Sequence, residues 1–432
     1  MKLSRQLGLF ITLGGGWLTA QGMPGLTLEQ LIDLGLDNSS GIRIAQRNLS
    51  AAKADRRGSY SGLAPSLRLT YQQDLDPGQA FIDPLTGSNV EPQPFGNQLI
   101  LSQTLFDGAA AWYRAASGAN AQASAEWTLT EARQQGVLAI KQAYYNYLSR
   151  LKLLGVSEEA LALSRKQLEL VEERYRLQAV KQTDLLKARV STGQRAADLH
   201  RAMQALATAR TSVNVTLGQE PSRALNLVQE SVSLEPLPDR EAALTLLLRD
   251  NPTLERSRLA VESSWLSAKQ QRGLLLPSLS VSYTLNASSA VAGEVFTFPQ
   301  DIRSTAARLS VSLPLFTGLR NSSQYSRLRY LALAEEERLE AQERELKRQL
   351  ENTFSSLKSL HNIYPINQEV LASAEADVRL AEVQYNLGAI SILNLLDAQV
   401  SLITARSTLV RTTYDIKIAE AQLQALMGVS HR

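Results

Sequence analysis

Two periodicities alternate along this chain. SLSVSYTL at 278–285 switches between polar and apolar at every step, the pattern of a strand with two chemically different faces. Residues 308–313 repeat it, and Leu67, Leu69 and Tyr71 alternate with Ser66, Arg68 and Thr70. A weaker alternation runs over 97–106, and the loops at 74–96 and 286–304 are polar and turn-forming. Elsewhere the period is helical. Residues 109–177 hold no Pro and only three Gly (118, 136, 155), predicting a helix about 100 Å long at 1.5 Å per residue. Residues 319–387 match it, with one Pro at 365 and an apolar seam through Leu339, Leu346, Leu350, Leu357, Leu360 and Tyr364. That a/d-like spacing predicts coiled-coil packing. Shorter helices are expected at 184–217 and 393–427, and near the start at 27–38 and 42–63.

These elements recur in one order. LAPSL at 63–67 returns as LLPSL at 275–279, an offset of 212. LFDG at 105–108 returns as LFTG at 315–318, an offset of 210. YRLQAVKQTDLLKAR at 175–189 returns as YNLGAISILNLLDAQ at 385–399, identical at six of fifteen positions and again at 210. Leu217-Gly218 returns as Met427-Gly428, still at 210, and with one two-residue change inside the strand pair these four landmarks indicate a duplicated unit. The chain then divides into a leader at 1–22, a first repeat at 23–218, a linker at 219–238, a second repeat at 239–428 and a tail at 429–432. Each repeat holds a strand pair, about 64–106 and about 277–316. Asn251-Pro252 starts a new helix inside the second repeat.

Lys2 and Arg5, the apolar stretch 7–18 and Ala20-Gln21-Gly22 read as a signal peptide, so the chain is expected to be exported. No later run is apolar enough for a membrane helix. Charged residues make up 20% and hydrophobic ones 44%, which fits neither a disordered chain nor a membrane-saturated one. A net charge of +3 without a basic block gives no reason to expect nucleic acid as a partner. There is no Cys, which excludes disulfides, thiol chemistry and a lipidated N-terminal Cys. Three scattered His and the lack of nucleophile, phosphate-loop or dinucleotide motifs leave no enzyme, metal or cofactor site to expect.

Four strands of about ten residues match the length of transmembrane β-strands. A four-stranded sheet in lipid would leave its edges unpaired, and the smallest membrane barrels have about eight strands. Several chains must therefore share one barrel, of eight or twelve strands; the strand count alone does not choose between dimer and trimer.

LTLEQLIDLGLDNS at 26–39, LAPSL, the LFDG and LFTG junctions and YNLGAISILNLLDAQ together resemble the TolC family of outer-membrane efflux channels. The resemblance covers essentially the whole chain after the leader. It implies a mainly α fold with a membrane β-barrel sector: a homotrimer whose twelve-stranded barrel continues into a long antiparallel α-helical tunnel in the periplasm. It implies a passive, gated conduit in the outer membrane of a Gram-negative bacterium, held in outer-membrane lipid and serving tripartite efflux or type I secretion. The implied partners are a periplasmic adaptor (membrane fusion) protein and an inner-membrane transporter of the RND or ABC type.

The resemblance also points to the helix turns. Tyr385 and Asp184, with Thr183 beside them, match a closed-state latch. Asn394 and Asp397 match an entrance constriction, where the family's first Asp is replaced by Asn394. Ile390 replaces an Arg that strengthens closure. Gln178, Ala179, Leu387, Gly388 and Ala389 match the tips that meet the adaptor, with Gln178 standing where a Gly is expected. Each has a plainer reading as well: Asp184 and Asn394 as helix caps, Asp397 as a first-turn anion, Tyr385 as packing and Gly388 as a C-cap. The competing assignment for the chain is a secreted coiled-coil stalk or adhesin with a membrane anchor.

Overall fold

A computed structural model describes residues 25–428, apart from 83, 84, 86, 229–232 and 301. The expected signal peptide (1–22) and tail (429–432) lie outside the described residues. The chain runs through α1 (Leu28–Asn38), α2 (Ser40–Ser59), β1 (Ser66–Gln73), a small ribbon of β2 (Phe81–Ile82) and β3 (Asn89–Val90), β4 (Phe95–Asp107), α3 (Ala110–Arg176) and α4 (Gln182–Thr216). It then repeats as α5 (Arg240–Asp250), α6 (Pro252–Gly273), β5 (Ser278–Ser289), β6 (Arg303–Ser312), α7 (Arg320–Asn386) and α8 (Ile392–Leu426). α3 and α7 each have 67 residues, and α4 and α8 each have 35.

Local chemistry sets the boundaries. Thr27 opens α1 with a capping box shared with Gln30. Asn251 ends α5 and caps α6, its side chain accepting from the Thr253 and Leu254 N–H groups, with Pro252 at the first helical position. Both long helices begin after paired left-handed residues, Gly108-Ala109 and Gly318-Leu319. Pro365 removes one backbone donor, yet α7 continues through it.

Packing is helix on helix throughout. One half of each long helix lies against α2 or α6 and the other half against α4 or α8. The seam through Leu346, Leu350 and Leu357 is buried against α5 and α8, with Ala243, Leu247, Ile416, Ala419 and Leu423. α1, α3 and α4 build the matching cluster around Leu31, Tyr144, Leu148 and Leu217. A third cluster joins both hairpins at their turns.

β1, β4, β5 and β6 form one antiparallel sheet in the order β1-β4-β5-β6, so the two repeats meet along β4 and β5, and β1 and β6 are its edges, unpaired among the described residues. The second strand pair stops at Ser312, short of the expected 316. Its partner β5 begins at Ser278, and Pro314 offers no N–H. Phe316 therefore lies beyond the sheet.

Candidate functional site: a two-faced sheet and paired helix tips

The ladder sorts side chains by chemistry. Leu67, Leu101, Tyr283 and Ala307 form one row, and Leu69, Leu99, Leu285 and Thr305 another on the same face. The opposite face carries the rows Ser66-Ser102-Ser282-Arg308 and Thr70-Gln98-Asn286-Ser304. Polar contacts tie that face together, Ser66 Oγ to Ser102 Oγ at 2.8 Å and Gln98 Nε2 to Asn286 Oδ1 at 2.9 Å. Apart from the short turn at 294–296, which covers Asn97 and Ala287 at the far end, the apolar face has no covering layer among the described residues: Leu67 is 66% exposed and Val311 71%. Water does not stabilise such a face, whereas lipid on one side and an aqueous lumen on the other would suit both.

Aromatic side chains bracket the apolar band. At the far end Tyr71 stacks on Phe296, with centroids 5.4 Å apart. At the helical end a bulge between Thr104 and Phe106 turns Phe106 onto the apolar face opposite Leu279. The same bulge turns Asp107 onto the polar face, where its carboxylate accepts the Ala111 N–H at 2.9 Å and holds the start of α3. Trp112 and Phe316 stand exposed near that junction. Phe106 lies nine positions beyond Asn97, the partner of Tyr71. At about 3.4 Å per residue and a tilt of 35–45°, the girdles stand about 20–25 Å apart, the height of a membrane barrel's apolar band. No helix among the described residues is long and apolar enough to cross a membrane.

At the other end of the molecule the hairpins close in two turns with the same hydrogen bonds. Gln178 N–H donates to Tyr175 O and Ala179 N–H to Arg174 O, at 2.9 and 2.8 Å. Gly388 N–H donates to Tyr385 O and Ala389 N–H to Gln384 O, at 3.1 and 2.8 Å. Both are Schellman closures. Leu177 and Leu387 project into solvent beside them.

Behind the turns Tyr385 is buried with Val171, Leu185, Val378 and Leu395, and Ile390 packs on the same cluster. Burial pushes the Tyr385 hydroxyl up from the usual phenol range, while the Arg174 charge opposes the shift. Among the described residues the hydroxyl makes no hydrogen bond of normal geometry, with Arg174 as a polar neighbour, so Asp184 and Tyr385 are brought near each other but not bonded within one protomer. The nearer polar link to the long helix is Arg174. Its guanidinium lies 5.2 Å from the Tyr385 ring centre and donates to Asn386 Oδ1 at 2.9 Å, tying α3 to α7. Farther from the turns, Arg406 on α8 bonds Glu159 on α3 and Glu375 on α7 at 2.9 and 3.1 Å. Neither arginine stands out in the sequence, because a lone Arg on a charged helix looks like a solvated one.

The capping readings need correction. Lys181 and Ser391 hold the N-cap positions, with extended backbone and no capping bond from either side chain. Asp184 is the third residue of α4, and Thr183 is exposed beside it. Asn394 is the third residue of α8, and its side chain accepts from Ser391 Oγ at 2.7 Å. Asp397 falls in the second turn, outside the first turn where the helix dipole favours an anion. Asn394 and Asp397 are both exposed. No cluster of potential metal ligands occurs among the described residues.

A family model described as outer membrane efflux protein matches residues 243–429. Outer membrane protein TolC of Escherichia coli is 22% identical over 409 residues, covering 89% of this chain and 80% of that protein. Outer membrane efflux protein BepC of Brucella suis is 21% identical over 425 residues, covering 97% and 89%. Among solved structures, CusC superposes with a TM-score of 0.83 at 19% identity over 93% of this chain and 92% of that one. The outer membrane protein VceC of Vibrio cholerae gives 0.80 at 17%, over 93% and 96%.

Proposed function

From a chain that resembles the TolC-like outer-membrane channels, in fold along nearly its whole length and in sequence signature over its second repeat, we propose a trimeric channel-tunnel of the outer membrane. The observation that carries this reading is the open, two-faced sheet. Its edges β1 and β6 have no partner among the described residues of the protomer, and lipid tolerates no unpaired backbone edge. Joining β6 of one copy to β1 of the next closes a barrel, and three copies supply twelve strands. The apolar face then meets lipid between two aromatic girdles and the polar face lines a pore. The helices continue the pore as a tunnel about 100 Å long into the periplasm.

The protein is a conduit and not an enzyme. An inner-membrane transporter supplies the energy, and an adaptor docks at the tips formed by Gln178, Ala179, Leu387, Gly388 and Ala389. The gate lies at the same end. Tyr385, Asp184 and Thr183 hold the inner and outer hairpins together, and the Tyr385 hydroxyl finds its partner in the closed trimer. Asn394 and Asp397 face the entrance, where Asp397 gives a ring of one carboxylate per protomer. With Ile390 in the tip cluster, closure relies more on apolar packing than on ion pairs.

Detergent-extracted protein should run as a trimer and conduct in planar bilayers. A stable monomer without conductance would overturn the reading. Tyr385→Phe combined with Asp184→Ala should raise single-channel conductance, and Asp397→Ala should abolish block by polyvalent cations added at the tunnel end.

A further inference from the structure

We propose that the barrel lumen is an anion-selective segment built by Arg68 and Arg308, a property that rests on the channel reading above. β1, β4, β5 and β6 contain three arginines and one carboxylate in all, with no lysine. Two of the arginines share the polar face. Arg68 stands in the row Arg68-Ile100-Thr284-Ala306, and Arg308 in the next row, opposite Ser282. The third, Arg303, pairs with Ala287 at the far rim on the apolar face.

Among the described residues neither Arg68 nor Arg308 makes an ion pair or hydrogen bond, and both are exposed. The lone strand carboxylate, Asp107, sits at the helical end and is occupied by the Ala111 N–H. Beyond the far strand ends Asp74 accepts from Gln72 and Glu294 from Ser289, while Asp76 and Glu91 are exposed on the loop outside the sheet. Between these ends the polar face carries positive charge alone.

Position strengthens the effect. Arg68 is on one edge strand and Arg308 on the other, so closing the barrel brings both to each seam between protomers. Two per protomer give six guanidiniums around a trimeric lumen. A water-filled pore in a low-dielectric wall focuses such a field, and arginine rings favour anions in pores. The solutes favoured are small anions and molecules bearing carboxylate or phosphate. The two arginine rows are adjacent, and the other polar-face positions around them are uncharged (Ser66, Ser102, Ser282, Thr284, Ile100 and Ala306), which would let such solutes pass rather than trap them.

The test is the zero-current potential of single channels in a potassium chloride gradient. Arg68→Gln with Arg308→Gln should lower the chloride-to-potassium permeability ratio by a factor of about two or more, while Arg68→Lys with Arg308→Lys should leave it unchanged. Each single Gln variant should give part of the shift, which keeps the measurement available if the double variant fails to assemble. Conducting variants with the wild-type potential would overturn the proposal and leave the channel standing. A wild type that never conducts would take down the channel reading and this one with it.

Discussion

Gln178 and Gly388 hold the same left-handed backbone, φ 59° and 73°, at equivalent points of the two tips. A Gln where the turn calls for Gly is expected to spoil this geometry; instead the closure forms and Gln178 bears the strain. A residue with a Cβ pays roughly 1 kcal/mol for that region. Gln178→Gly should therefore stabilise the first tip by about that amount, and Gly388→Gln should destabilise the second. Hydrogen exchange at the Ala179 and Ala389 amides reads each closure separately. Faster exchange at Ala179 in Gln178→Gly would contradict this account.

Gly108 and Gly273 bring two backbones together where β4 turns into α3 and α6 ends. A Cβ on either would overlap the other's carbonyl group, and both partners are main chain and cannot swing aside. Gly273→Ala should cost about 1–3 kcal/mol, seen as a lower unfolding midpoint. Gly155→Ala is the contrasting case. Gly155 lies mid-helix in α3, and a Cβ there would meet nothing within 4 Å, so helix propensity predicts a gain of roughly 1 kcal/mol.

Much of this architecture can be read in the chain because it rests on local rules. Period-two alternation in SLSVSYTL, the seam through Leu346, Leu350 and Leu357, and the 210-residue offset that holds from LFDG onward can each be read without long-range information. What escapes depends on where distant helices meet. Asp184 and Asn394 are good capping residues and so suggest helix starts, whereas the backbone bends earlier, at Lys181 and Ser391. Arg174 and Arg406 gain their roles only when α3, α7 and α8 are brought together. The bulge that re-aims Phe106 carries no signal in a single strand's composition.

Arg174 ties the two hairpins together behind the tips. Asn386 accepts its hydrogen bond, and the Tyr385 ring lies under its charge. Contacts of this kind contribute about 0.5–1 kcal/mol each at partly exposed sites. Arg174→Ala should shift the gate toward open and raise conductance, and Asn386→Ala should do so by less. If Arg174→Ala leaves conductance unchanged while Tyr385→Phe with Asp184→Ala raises it, the latch runs through Tyr385 and Asp184 without Arg174.

Lys141 offers a test by pH. It is buried between α3 and α8, donating to Gln424 Oε1 at 2.8 Å. Lys417 pairs with Glu420 beside it at 2.7 Å, and Glu235 faces it from the connector. Burial lowers the Lys141 ammonium below the usual lysine range; Glu235 and Glu420 oppose that shift and Lys417 adds to it. Between the lowered value and 10.5 the unfolded chain holds more protons than the folded one, so this group's contribution to stability rises as pH climbs through the window. Burial raises the phenols of Tyr147, Tyr385 and Tyr414, which reverses the slope above 10.0, but these are common to wild type and variant. The difference in unfolding free energy between wild type and Lys141→Met should therefore grow in favour of the wild type as pH rises toward 10.5. A constant difference across that range would mean that Lys141 titrates as it does in water and that the buried charge cluster is not closed to solvent.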